Sequence, residues 1–199
     1  RVPGIGPSHG ELSGKTLGII GYGHIGKAAA ERAAAFGMRV IATNRTAQAA
    51  PPPLERLAGL DQLDQLLEES DFVLMTLPTS PETRGMIDTE QFNRMKSDAV
   101  LINVGRAPVI AEEALYNALA EKRIGGAFLD VWYGYPTAED PDREPSRFPI
   151  RQLDNVIMTP HCSSRSVESR ERRWMTVPRN LDQLSRGEPL DNIAFQGTT

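Results

Sequence analysis

One run constrains this chain more than any other: TLGIIGYGHIGKAAAERAAAFG, residues 16–37. An apolar, strand-like pentapeptide meets Gly21, Gly23 and Gly26 in G-x-G-x-x-G spacing, then an Ala-rich helical stretch stopped by Gly37. The first glycine permits a tight turn, the second lets a pyrophosphate approach the backbone, and the third lets helix and strand pack closely. The helix N-terminus adds free N–H groups and a partial positive charge. Alone, a Gly-rich turn is a weak signal and can be purely structural. Its place between a strand and a helix makes it a candidate dinucleotide cradle, formed by Gly21, Tyr22, Gly23, His24, Ile25 and Gly26.

The rest of the chain repeats the alternation. RVIAT (39–43), DFVLMTLP (71–78), AVLINVG (99–105), GGAFLDVW (125–132) and NVIMTPH (155–161) read as strands. LDQLLEES, EEALYNALAEKR (112–123) and an Arg-studded segment over 165–186 read as helices. Strands separated by helices imply βαβ units and a parallel sheet. Continuous apolar runs such as FVLM fit strands covered on both faces. The expected fold class is α/β, a Rossmann-type doubly wound parallel sheet with helices on both faces. Residues 1–13, rich in Gly and Pro, read as a linker, 14–184 as the dinucleotide-binding domain, and 185–199 as a C-terminal tail. The start at Arg1 reads as that of a trimmed fragment, with no signal peptide.

Composition narrows the partners. A net charge of −4 argues against a nucleic-acid binder. No apolar run approaches a membrane span. The single cysteine, Cys162, excludes an internal disulfide framework, fits a reducing, cytoplasmic compartment, and reads as a small buried hydrophobe. No metal site is expected.

The end of the second strand usually carries a carboxylate that accepts from a ribose 2′-OH. Here the text is IATNRTA, with Asn44, Arg45 and Thr46. Asn44 does not repel a 2′-phosphate, and Arg45 and Thr46 can bind one. The pattern favours NADP(H), with NAD(H) as the alternative in which Arg45 is a solvated surface charge.

Five ordered motifs then make the chain recognisable: ELSGKTLGIIGYGHIGKAAAERAAAFGMRV, TLPTSPETRGMID, LINVGRAPVIAEEAL, GGAFLDVW and NVIMTPH. Together they resemble the cofactor-binding part of the D-isomer-specific 2-hydroxyacid dehydrogenases, from about Glu11 to the end of the chain. The resemblance implies a second, substrate-binding domain built largely from an N-terminal third that this chain lacks. It also implies a homodimer for the full protein and a small 2-keto or 2-hydroxy acid, such as glyoxylate or hydroxypyruvate, as substrate.

The resemblance assigns roles residue by residue. His161, in TPH, matches the acid/base histidine; an imidazole can exchange a proton near neutral pH. Arg106, in NVGRAP, matches the arginine that binds the substrate carboxylate and polarises the carbonyl. The family usually reads Arg-Gly where this chain has Arg106-Ala107. Asp130 matches a residue near the nicotinamide carboxamide, and Leu77 and Pro78 an apolar wall against the adenosine. Thr83, Val104, Gly105 and Ser163 match further cofactor contacts. For each, ordinary strand-end packing is the plain alternative.

One departure concerns the third catalytic group. Most relatives place a Glu before the proline that follows DV-aromatic, and it stabilises the protonated histidine. Here Tyr135 precedes Pro136. Tyr135 can orient His161 but carries no charge at neutral pH. Reduction is then expected to fade above about pH 6–7, and Tyr135→Glu to extend it to higher pH; an unchanged pH profile in that variant would refute the idea. Formate dehydrogenases also lack this Glu. Two alternatives therefore stand beside a 2-hydroxyacid dehydrogenase: a formate- or phosphite-type dehydrogenase, and a cofactor-sensing, corepressor-like binding protein.

Overall fold

The sequence TLGII extends as β1 (Thr16–Ile20), and its five residues are buried on both faces. The glycine turn follows, then α1 (His24–Ala35), β2 (Arg39–Asn44), β3 (Arg56–Gly59), α2 (Leu63–Glu69) and β4 (Phe72–Met75). The second half contains α3 (Thr89–Arg94), β5 (Val100–Asn103), α4 (Glu112–Ala120), β6 (Gly126–Leu129) and β7 (Val156–Met158). A computed structural model provides this description for residues 10–191 and 193. His9 and most of the expected linker, and residues 192 and 194–199 of the expected tail, lie outside the described residues.

The seven strands form one sheet in the order β3-β2-β1-β4-β5-β6-β7, and every adjacent pair is parallel. This is the doubly wound α/β arrangement expected. The register sets Leu17 beside Val40, and Ile19 beside both Ala42 and Leu74. On that face they pack against Ala30 and Ala33 of α1. On the other face Ile20, Ile41, Val73, Leu101 and Leu129 pack against Leu66 and Leu67 of α2, Phe92 of α3, and Leu115 and Leu119 of α4. Each such large apolar side chain contributes about 1.5–3 kcal/mol by leaving water.

Two elements were not anticipated. β3 (RLAG) is a short edge strand where the proline run suggested only a turn. Its reason is tertiary: Glu55 N–H bonds Val40 C=O at 2.9 Å, and residues 56–59 pair with 41–44 of β2. α3 begins with a capping box, in which Asp88 accepts from helix N–H groups and Gln91 reaches back to the Asp88 N–H.

The strands' N-terminal ends are fastened by charge. The Asp71 carboxylate accepts from the buried Thr16 N–H at 2.7 Å and from Lys96 Nζ at 3.0 Å, with Lys15 Nζ at 3.7 Å. At the sheet edge Arg39 pairs with Glu55 and Glu69, and Arg56 also pairs with Glu69. Burial raises the Asp71 carboxyl, but Thr16 N–H and Lys96 outweigh it and hold it below the usual carboxylate range. A depressed carboxyl contributes stability above its unfolded value, about 4. That contribution fades as pH falls through the lower folded value. Asp71→Ala is expected to cost about 2–3 kcal/mol at neutral pH, with the deficit shrinking in acid. Denaturant melts of both proteins across pH 3–7 check this; a pH-independent difference refutes it.

The chain divides after His161 into two compact units. The second holds α5 (Val167–Ser185), which starts on a Ser166/Ser169 capping box, contains Pro178 and buries no residue. Its arginines are exposed, as a solvated face requires, and Arg179 pairs with Asp191. Among the described residues no helix is long and apolar enough to cross a membrane.

Candidate functional site

The chain runs outward from β1 to β2 and β3 on one side, and to β4 through β7 on the other. Parallel pairing puts every strand's C-terminal end on one edge, and the reversal between β1 and β4 leaves a crevice there. Nearly all the expected site residues lie along that edge.

Gly21 has φ of 101°, which a side chain rarely tolerates, and its N–H bonds Thr43 C=O at 2.9 Å. A Cβ on Gly26 would stand 2.6 Å from Gly21 C=O, so only glycine lets α1 sit this close to the turn. Gly23 differs: it is exposed, and a Cβ there would meet nothing within 4 Å. That is the open place where a ligand can reach the backbone. Gly23 is also the N-cap of α1, with no side-chain cap and no acidic residue in the first turn. The positive helix end is thus left for an anion, and a pyrophosphate fits the cradle. His24 and Ile25 are exposed on its rim. Tyr22 is buried in the α1-side core, where burial and then Glu31 raise its phenol.

Beside the cradle is a hollow of about 370 Å³ lined by Asn44, Arg45, Leu60, Leu77, Pro78, Ser80, Glu82 and Thr83. An apolar Leu77–Pro78 wall faces polar groups at the end of β2, which suits an adenosine. Asn44 Oδ1 accepts from Arg45 N–H at 3.0 Å, and Arg45 and Thr46 are exposed. Glu82 accepts from Ser80 Oγ at 2.6 Å; that bond, with smaller help from Arg45, keeps its carboxyl below the usual range. Glu82 was not anticipated. Thr83 Oγ1 donates to Pro78 C=O at 2.9 Å and accepts from Ser80 N–H at 2.8 Å, which shapes the hollow's rim.

After β5 the chain turns through Val104, Gly105 and Arg106. A Cβ on Gly105 would lie 2.8 Å from Leu77 C=O. Buried Asn103, also missed from sequence, pins the turn: its Oδ1 accepts from Gly105 N–H at 3.0 Å and its Nδ2 donates to Arg106 C=O at 3.2 Å. Among the described residues the exposed Arg106 guanidinium donates to Gly105 C=O, at 2.7 Å. The Ala107 methyl is buried, so the departure from Arg-Gly falls on the core side of the loop.

His161 follows β7 by three residues. Its φ of 53° is in the left-handed region, an uncommon state for a non-glycine residue that costs of order 1–3 kcal/mol. Its Nδ1 lies 3.0 Å from Tyr135 Oη. Tyr135 Oη also accepts from Trp132 N–H at 3.0 Å, while the Trp132 indole donates to Thr159 C=O at 3.0 Å. Thr159 Oγ1 in turn donates to Asp130 Oδ1 at 2.6 Å, and Asp130 is fully buried. The tripeptide TPH thus carries two working residues; nothing local in the sequence marked Thr159 or Trp132 as partners.

β5 and β7 flank β6, so residues just past their ends are about 10 Å apart laterally. Arg106 and His161 can reach into that gap from its two sides. Ser163 and Cys162 belong to the second unit. Cys162 is exposed rather than buried: it follows β7 in the chain and belongs to no strand or helix that would cover it. Among the described residues no cluster of His, Cys, Asp and Glu could hold a metal.

Comparison with known proteins gives a consistent result. Residues 5–163 match the family model for the NAD-binding domain of D-isomer specific 2-hydroxyacid dehydrogenases. A glyoxylate reductase from Korarchaeum cryptofilum is 40% identical over 188 residues, which are 94% of this chain and 54% of that protein. One from Pyrococcus furiosus is 42% identical over 180 residues, 89% of this chain and 50% of that one. The chain therefore spans about half the length of these relatives. An NADPH-dependent glyoxylate/hydroxypyruvate reductase from Sinorhizobium meliloti, solved with NADP and sulfate, superposes with a TM-score of 0.79 at 28% identity, covering 96% of this chain and 58% of that one. D-lactate dehydrogenase from Lactobacillus jensenii, solved with NAD+, gives 0.78 at 30% identity over 94% of this chain and 57% of that one.

Proposed function

The chain belongs to the D-isomer specific 2-hydroxyacid dehydrogenase family, and from that premise we propose that the whole protein is an NADP(H)-preferring reductase of small 2-keto acids such as glyoxylate or hydroxypyruvate. The observation that carries this is the Tyr135–His161 bond at the strand-end edge that also bears the glycine cradle and Arg106. The same reading includes a homodimeric, cytoplasmic protein, supported by the family resemblance and the single cysteine.

When bound, the nicotinamide supplies hydride to the carbonyl carbon. Arg106 holds the substrate carboxylate through paired N–H groups and turns the keto oxygen toward His161. His161 delivers its Nε2 proton to that oxygen. Tyr135 holds Nδ1 in both protonation states. A phenol oxygen can accept two hydrogen bonds and donate one. With Trp132 N–H occupying one acceptor position, the other accepts Nδ1–H, which the ring keeps when its Nε2 proton leaves, so the same bond holds the ring before and after transfer.

Turnover of NADPH with glyoxylate, followed by loss of nicotinamide absorbance, tests the reading. Oxidation of formate in its place would move the protein to the formate type. Tight NADPH binding without turnover across several keto acids would make it a sensor. For the cofactor, Arg45→Ala is expected to weaken NADPH binding by about 10- to 100-fold and to leave NADH nearly unaffected. Fluorescence titration with both cofactors checks this, and equal losses refute the phosphate role.

A further inference from the structure

Glu112 opens α4, directly after the loop that carries Arg106, yet no step above uses it. Its side chain is only 8% exposed. Oε1 accepts from Ser146 Oγ at 2.9 Å and from Arg147 N–H at 2.7 Å, and Oε2 from Arg147 Nε at 2.7 Å. Burial pushes its carboxyl up, but the Arg147 backbone, the Arg147 guanidinium and Ser146 together hold it below the usual range. It is therefore ionised and fully engaged at neutral pH.

Its three bonds all go to one segment, the return leg of the excursion between β6 and β7. That leg lies against the outgoing leg, because Pro145 C=O accepts from both Tyr133 N–H and Gly134 N–H at 3.1 Å. A Cβ on Gly134 would stand 2.4 Å from Glu144 C=O, so the legs close only with glycine there. The next residue is Tyr135. A second tie runs parallel: Tyr133 Oη donates to Ile110 C=O at 3.0 Å, in the same Arg106-to-α4 segment.

We propose that Glu112 is a positioning residue: its carboxylate clamps the excursion bearing Tyr135 onto the segment bearing Arg106, so that His161 and Arg106 keep one spacing. Its catalytic meaning rests on the reductase reading; the clamp itself does not. Two measurements separate them. On the whole protein, Glu112→Ala is expected to lower kcat/KM for glyoxylate about tenfold or more while the NADPH dissociation constant is unchanged. Glu112→Gln, which keeps the acceptor oxygen, is expected to recover part of that loss. On this chain, NMR of the His161 ring should show Nδ1 losing its fixed hydrogen-bonded state in Glu112→Ala.

Wild-type kinetics and an unchanged His161 signal in a folded Glu112→Ala protein would overturn the proposal. Should that variant fail to fold, Arg147→Ala decides. Arg147 is 79% exposed, so the variant removes one clamp bond at the surface. It is expected to perturb the His161 ring and lower kcat/KM about threefold, and an unperturbed ring overturns the clamp. If the parent protein shows no turnover, the reductase reading fails, and the ring signal still judges the clamp.

Discussion

His161→Asn is expected to lower kcat for 2-keto-acid reduction by about 10²- to 10⁴-fold, the usual worth of a positioned proton donor. Asparagine is the informative replacement. It tolerates the left-handed backbone that His161 adopts at φ 53°, so the turn after β7 should survive while the titrating group is lost. A β-branched residue would confuse lost chemistry with backbone strain. NADPH affinity should be unchanged, because the cradle at Gly21–Gly26 and the hollow beside Leu77 and Pro78 do not use the imidazole. Single-turnover reduction and a cofactor titration on the whole protein check both halves. Retention of more than about a tenth of the activity would mean that the proton comes from another group.

Arg106→Ala is expected to reduce kcat/KM for glyoxylate by roughly 30-fold to several thousand-fold, which corresponds to about 2–5 kcal/mol for removing one partner of a hydrogen-bonded charge pair. The structure argues that this loss is chemical rather than architectural. The loop's shape is set by buried Asn103, which bonds Gly105 N–H and Arg106 C=O through its side chain. Among the described residues the exposed guanidinium bonds its neighbour's carbonyl, a contact within the loop itself. Thermal stability and NADPH affinity should therefore be retained. Arg106→Lys should restore charge without the two-pronged geometry and recover only part of the rate. A variant that loses its melting transition would show Arg106 to be structural.

The parts of this molecule that could be read from sequence are those specified locally. The apolar run before Gly21, the glycine spacing and the Ala-rich helix fix β1, the turn and α1 within one segment. NVGRAP and TPH marked Arg106 and His161 through their resemblance to family motifs, each lying just past a strand-like run. β3 was invisible because RLAG has no strand pattern of its own; it exists through pairing with β2. α3 was missed although its D-x-x-Q box was legible, since six residues give too little periodicity. Trp132, Thr159 and Glu112 act across gaps that only the folded chain closes, whereas Asn103 bonds residues two and three along, in a turn that no residue pattern announced. The left-handed backbone at His161 belongs to the same class.

The ion pairs around Asp71, Arg39 and Glu69 sit where strands begin, whereas the groups assigned to chemistry sit where strands finish. Durability and reactivity are thus written at opposite poles of one sheet, separated by strands of three to six residues. Random libraries confined to the first pole can harvest heat tolerance with little toll on turnover, and libraries confined to the second can explore new acids without eroding the scaffold.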